Sequence, residues 1–189
     1  MNKKTLLMNK KTILIIGALA LGFYLHPNFA RAATVTWDGG GDGRYWNNAT
    51  NWSNDRVPGV TDSVILPAAS ATNVIYRGTQ PSVRSLLNSG TLRINGSGAG
   101  SHAALTVSGS LTNAGTILLE SSDGGYNDTL TVGGTLVNVT NGVIQVNEGS
   151  GGGRYLYASV VNRGAVNVAS GTELYCYTKT IAPASLLGA

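Results

Sequence analysis

Leu86-Leu87-Asn88-Ser89-Gly90-Thr91-Leu92-Arg93-Ile94 opens a phrase that this chain repeats three more times in altered form. The second copy is Leu111-Thr112-Asn113-Ala114-Gly115-Thr116-Ile117-Leu118-Leu119. The third is Leu136-Val137-Asn138, two extra residues, then Asn141-Gly142-Val143-Ile144-Gln145-Val146, and the fourth is Val160-Val161-Asn162-Arg163-Gly164-Ala165-Val166-Asn167-Val168. The four asparagines stand 25, 25 and 24 residues apart. A fixed period in the range of roughly 20–50 residues marks a stacked repeat, in which each unit buries its apolar face only against its neighbours.

Within each copy the alternation has the strand period of two. Leu92 and Ile94 flank Arg93, Ile117 and Leu119 flank Leu118, Ile144 and Val146 flank Gln145, and Val166 and Val168 flank Asn167. A second alternation precedes the asparagine, as in Leu105-Thr106-Val107 and Leu130-Thr131-Val132. Such short strands are unstable as isolated hairpins. Stacked in parallel at a rise of ~4.8 Å per coil they share one core. The sequence therefore predicts an all-β fold, a right-handed parallel β-helix of four to five coils of about 25 residues. The recurrent asparagine reads as a corner whose amides stack into a ladder, and the glycine beside it as a residue needed for left-handed backbone angles. Gly96–Gly100 and Gly149–Gly153 read as projecting loops. A β-sandwich is the rival fold, but it gives no reason for the 25-residue register, and Asn-Gly hairpin signals occur only at Asn95-Gly96 and Asn141-Gly142. A fifth asparagine is expected near position 187, where Leu187 stands. Leu174 and Cys176 read as inward residues of a fifth coil, with Tyr175 and Tyr177 outward. With no polar cap in the last residues, the coils of 73–189 read as truncated at the C-terminus.

Residues 1–32 read as a secretory signal peptide. Lys3, Lys4, Lys10 and Lys11 precede an apolar stretch of 13 residues from Ile13 to Leu25, and Ala30-Arg31-Ala32 supplies small residues for cleavage. That stretch is too short to span a bilayer of ~30 Å as a helix. The formal charge of +4 on the whole chain rests on this segment. After Ala32 eight basic residues face nine acidic ones, so no nucleic-acid footprint is expected. Cys176 stands alone, excluding an intrachain disulfide, and reads as a buried small apolar residue.

Residues 33–72 differ from the repeats and hold all three tryptophans. The stretch Trp37-Asp38-Gly39-Gly40-Gly41-Asp42-Gly43-Arg44-Tyr45-Trp46, then Asn51-Trp52, then Val57-Pro58-Gly59-Val60-Thr61-Asp62-Ser63-Val64-Ile65-Leu66-Pro67, resembles a module of large secreted bacterial proteins of autotransporter or adhesin type. In those proteins the module precedes parallel β-helix repeats. The resemblance implies surface or extracellular placement and a β-helical passenger region, and implies no catalytic activity. The chain departs from autotransporters as a class in showing no C-terminal membrane barrel. Physically, three tryptophans suit a cap over the first coil. Two other uses are open to these residues: sugar stacking on the tryptophans, and calcium binding by Asp38, Asp42 and the carbonyls of the glycine loop.

Parallel β-helices often act on polysaccharides, and glycoside hydrolysis needs two carboxylates ~5–10 Å apart. Asp123 and Glu148, one period apart, are the best pair for such an enzyme, although their setting of glycine-rich loops is that of solvated charges. His102 reads as a loop residue, and no zinc spacing, nucleophile elbow or phosphate loop is present. No catalytic, cofactor or metal residue is therefore assigned. Tyr155, Tyr157, Tyr175 and Tyr177 lie close together in the last coils and would form an aromatic strip if they face outward. The expected protein is a secreted or cell-surface structural segment that presents a surface to glycans or to proteins of a host or neighbouring cell. A polysaccharide lyase or glycoside hydrolase is the alternative. A fragment with no role of its own is a third possibility.

Overall fold

The computed structural model describes residues 32–68, 73–97 and 102–177. The signal segment and the expected fifth asparagine lie outside them. Thirteen strands run in chain order: β1 Thr34–Thr36, β2 Ser63–Leu66, β3 Asn73–Tyr76, β4 Ser85–Asn88, β5 Thr91–Ile94, β6 Ala103–Val107, β7 Leu111–Asn113, β8 Thr116–Leu119, β9 Asp128–Asn138, β10 Val143–Val146, β11 Arg154–Asn162, β12 Ala165–Val168 and β13 Leu174–Tyr177. Every pair among these strands is parallel. The five-stranded sheet runs β12-β10-β8-β5-β3, and the other follows β1-β2-β4-β7-β9-β11-β13 with β6 added on β9. The molecule is a β-solenoid of about five turns.

The asparagines are the joints of this column. Asn88 Nδ2 donates to Asn113 Oδ1, Asn113 Nδ2 to Asn138 Oδ1, and Asn138 Nδ2 to Asn162 Oδ1, each at 2.8 Å. Those same amides also donate to the carbonyls of Thr116, Val143 and Ala165, which open β8, β10 and β12 in the next coil. Each amide thus ties its own coil to the next and one sheet to the other. The inward residues stack in the same register, Leu92 on Ile117 on Ile144 on Val166. The first three are buried, whereas Val166 is half-buried and Val168 exposed, because β12 is the edge strand.

Four expectations need correction. The corner glycines Gly115, Gly142 and Gly164 have no positive φ. They are required for room: a Cβ on them would lie 2.1–2.3 Å from a backbone carbonyl oxygen of the coil below. The last coil is also shorter than the period suggests. Arg154 pairs with Leu174, only 20 residues on, against the 24 to 25 that separate the asparagines. Cys176 sits in register with buried Leu156, yet it is exposed, since no described strand pairs with the outer edge of β13. Gly149–Gly153 do run along the surface, but Gly96 and Ser97 are buried.

The tryptophan stretch begins the column. β1 pairs with β2, while Arg44–Trp46 pair with Ile75 on the edge strand β3 of the other sheet. Trp37, Trp46 and Trp52 are buried in the common core. Trp52 meets Trp37 edge-on at 5.0 Å and Trp46 at 4.7 Å, and its Nε1 donates to the Trp46 carbonyl at 2.8 Å. Arg56 holds the buried Asp62 with both terminal nitrogens, at 2.6 and 2.7 Å, which lowers the Asp62 pKa. Trp52→Ala is expected to cost about 4 kcal/mol, read as a lower urea midpoint. A loss under 1 kcal/mol would contradict a tryptophan core.

Among the described residues one ion pair is wholly buried. Arg154 Nε lies 3.2 Å from Asp128 Oδ2, and Arg154 also donates to the carbonyls of Asn147, Gly151 and Glu148, fixing that loop. Burial raises the Asp128 carboxyl from 3.8 to about 6, against the Gly96 N–H and Arg154, which pull it down. The folded pKa exceeds the unfolded one, so this group's contribution is full below 3.8 and is lost as pH rises through 6. Relative to Asp128→Asn, the native chain is expected to lose about 2 kcal/mol between pH 4 and 7. Paired urea titrations at the two pH values check this, and a constant difference would refute it.

Candidate functional site: a tyrosine array on the last coils

Outward positions of β6, β9, β11 and β13 form two columns. Ala104, Thr129, Tyr155 and Tyr175 make one, and Thr106, Thr131, Tyr157 and Tyr177 the other. The columns change from small side chains to tyrosine at β11, and parallel pairing then stacks the rings. Tyr155 and Tyr175 lie 5.2 Å apart at 22°, Tyr157 and Tyr177 4.8 Å apart at 10°, and Tyr155 and Tyr157 6.5 Å apart at 17°. The four rings thus form a near-parallel block two wide and two deep. Tyr157, Tyr175 and Tyr177 are 39%, 41% and 54% exposed, so the expected aromatic strip does face outward.

A hollow flanks the array on each side. On one side β11 slips against β9: Tyr157 pairs with Thr131, but Ser159 pairs with Thr135, so β9 carries two extra residues. This bulge leaves a hollow of about 510 Å³ lined by Thr131, Val132, Gly133, Tyr157, Ala158, Ser159 and Tyr177. On the other side a hollow of about 400 Å³ lies among Glu148, Gly151–Gly153, Tyr155, Thr172, Glu173 and Tyr175. Bulges often re-aim side chains beside functional sites. The Tyr175 hydroxyl donates to Glu173 Oε2.

The other candidate residues are placed differently. Glu148 shares its hollow with Glu173, not with Asp123, which is exposed on a separate turn. Sequence spacing missed Glu173 because the short last coil sets it beside Gly153, one position before the Arg154–Leu174 pair. Exposed His102 accepts the Asn127 N–H at Nδ1 over 2.8 Å, tying two loops. The buried tryptophans have no ring face left for a sugar. Asp42 accepts from Arg44 and Tyr45 N–H and from the amides of Asn48 and Asn51, which holds its pKa well below the usual range, Asn48 contributing most. These donors surround its oxygens with positive dipoles where a calcium ion would need free lone pairs. Asp38 Oδ1 likewise accepts the Gly40 N–H.

Comparison with known proteins found no matching family model, no matching curated relative and no matching solved structure. The class is therefore defined by geometry alone, as a parallel β-solenoid. Among the described residues no helix is long and apolar enough to cross a membrane.

Proposed function

We propose that this chain is a secreted or cell-surface β-solenoid segment of adhesin type, non-enzymatic, whose work is to hold a binding surface on a stiff column. The observation that carries this reading is the exposed tyrosine block on a face whose strands are locked in register by the axial asparagine ladder. Large exposed aromatic patches on a rigid scaffold are characteristic of binding surfaces. The export signal read in residues 1–32 and the resemblance of the tryptophan stretch to secreted bacterial surface proteins point the same way.

The test is expression of the full chain in a bacterial host, followed by fractionation, N-terminal sequencing and a cell-adhesion assay. The expected product begins at Ala33, leaves the cytoplasm, and raises adhesion of coated beads to cells. An uncleaved cytoplasmic product, or polysaccharide turnover abolished by Asp123→Asn, would overturn the reading.

A further inference from the structure

We propose that the block of Tyr155, Tyr157, Tyr175 and Tyr177, with its two flanking hollows, binds a neutral polysaccharide chain. This assignment rests on the binding-surface reading above and names the ligand class. Tyr175 and Tyr177 are each stacked on one tyrosine of β11, and no other ring contact involves them among the described residues. Two adjacent stacks of near-parallel rings make a plate suited to the flat C–H faces of successive sugar units, since pyranose rings offer apolar faces and polar rims. The block is two rings wide, which favours a chain over a single sugar.

The hollows supply the polar half of the recognition. Thr131 and Ser159 offer hydroxyls on the bulge side. Glu148 and Glu173 offer carboxylates on the other, where they accept strong hydrogen bonds from sugar hydroxyls. Among the described residues, neither hollow has a lysine or arginine in its lining. A uronic-acid or sulfated chain would bring its charges against Glu148 and Glu173 with no cation among those lining residues to meet them, which disfavours it. The bulge between Tyr157 and Ser159 gives the chain a place to turn off the plate, so the site is a shallow track rather than a closed pocket.

The test is calorimetric titration of the full chain with neutral gluco-, manno- and xylo-hexasaccharides and with an oligogalacturonate of equal length. At least one neutral hexasaccharide is expected to bind, and the oligogalacturonate at least tenfold more weakly. Tyr177→Ala is expected to weaken the neutral ligand at least tenfold, and Tyr177→Phe, which keeps the ring, no more than threefold. Thr131→Trp, which fills the hollow from its other wall, is expected to block binding and guards against a misfolded Tyr177 variant. Unchanged affinity in both Tyr177→Ala and Thr131→Trp, preferred binding of the oligogalacturonate, or no binding of any neutral chain would overturn the assignment. Cell adhesion retained without oligosaccharide binding would sink the glycan assignment and leave the binding-surface reading standing; loss of both would sink both.

Discussion

Gly115→Ala is expected to destabilise the column by about 3 kcal/mol or more, the upper end of overpacking costs. An added Cβ would lie 2.1 Å from the Gly90 carbonyl oxygen and 2.7 Å from the Ser89 carbonyl carbon. Neither atom can retreat, because the Gly90 oxygen already accepts the Thr116 N–H at 2.8 Å, as part of the rung spacing. Coils would have to part at that corner, weakening the hydrogen bonds of β4 to β7 and of β5 to β8 together. Gly125→Ala is the internal control, since nothing lies within 4 Å of its Cβ position. It is expected to change stability by no more than about 0.5 kcal/mol. Urea midpoints of the two variants check the contrast, and equal midpoints would contradict close stacking at Gly115.

Asn113→Ala is expected to cost about 4 kcal/mol, from two buried donors and one acceptor removed at once. Asn113 gives one hydrogen bond to Asn138 and one to the Val143 carbonyl, and receives one from Asn88. For a domain of this size that corresponds to a fall of about 10 °C in Tm. Asn113→Asp separates the amide's donors from its shape. The carboxylate faces two carbonyl-type oxygens, so the variant is expected to be worse than alanine at neutral pH and to recover in acid, where the protonated group again has a donor. A melting scan at two pH values reads both effects. Equal Tm values for Asn113→Asp at pH 4 and 7 would show that its side-chain nitrogen is not the donor described here.

The column was legible because its two strongest constraints act on single residue types. Period-two apolar residues must point inward, and a primary amide offers two donors and an acceptor for a ladder along an axis, so Leu92, Ile117, Ile144 and the four asparagines could be placed without coordinates. The glycines were legible as positions but not as causes, since a tight approach to the Gly90 oxygen and a left-handed turn leave the same letter in the sequence. Coil length was harder. The 25-residue spacing measures the loops as well as the rungs, and when the last loop shortens the register moves with it. That shift set Glu173 in the same hollow as Glu148. The tyrosines were recognisable as neighbours. Their stacking on β13 and the bulge that opens the hollow beside Tyr157 depend on pairing that no local pattern encodes.

The most direct test of the account is a set of nuclear Overhauser contacts among the side-chain amides of Asn88, Asn113 and Asn138 in the labelled chain. Cross-peaks are expected between Asn88 and Asn113 and between Asn113 and Asn138, together with the parallel backbone contacts of Leu111 with Leu86 and Leu136. Asparagine amides with no mutual contact, or backbone contacts joining β7 to β8 as an antiparallel hairpin, would contradict the stacked column and every inference drawn from it.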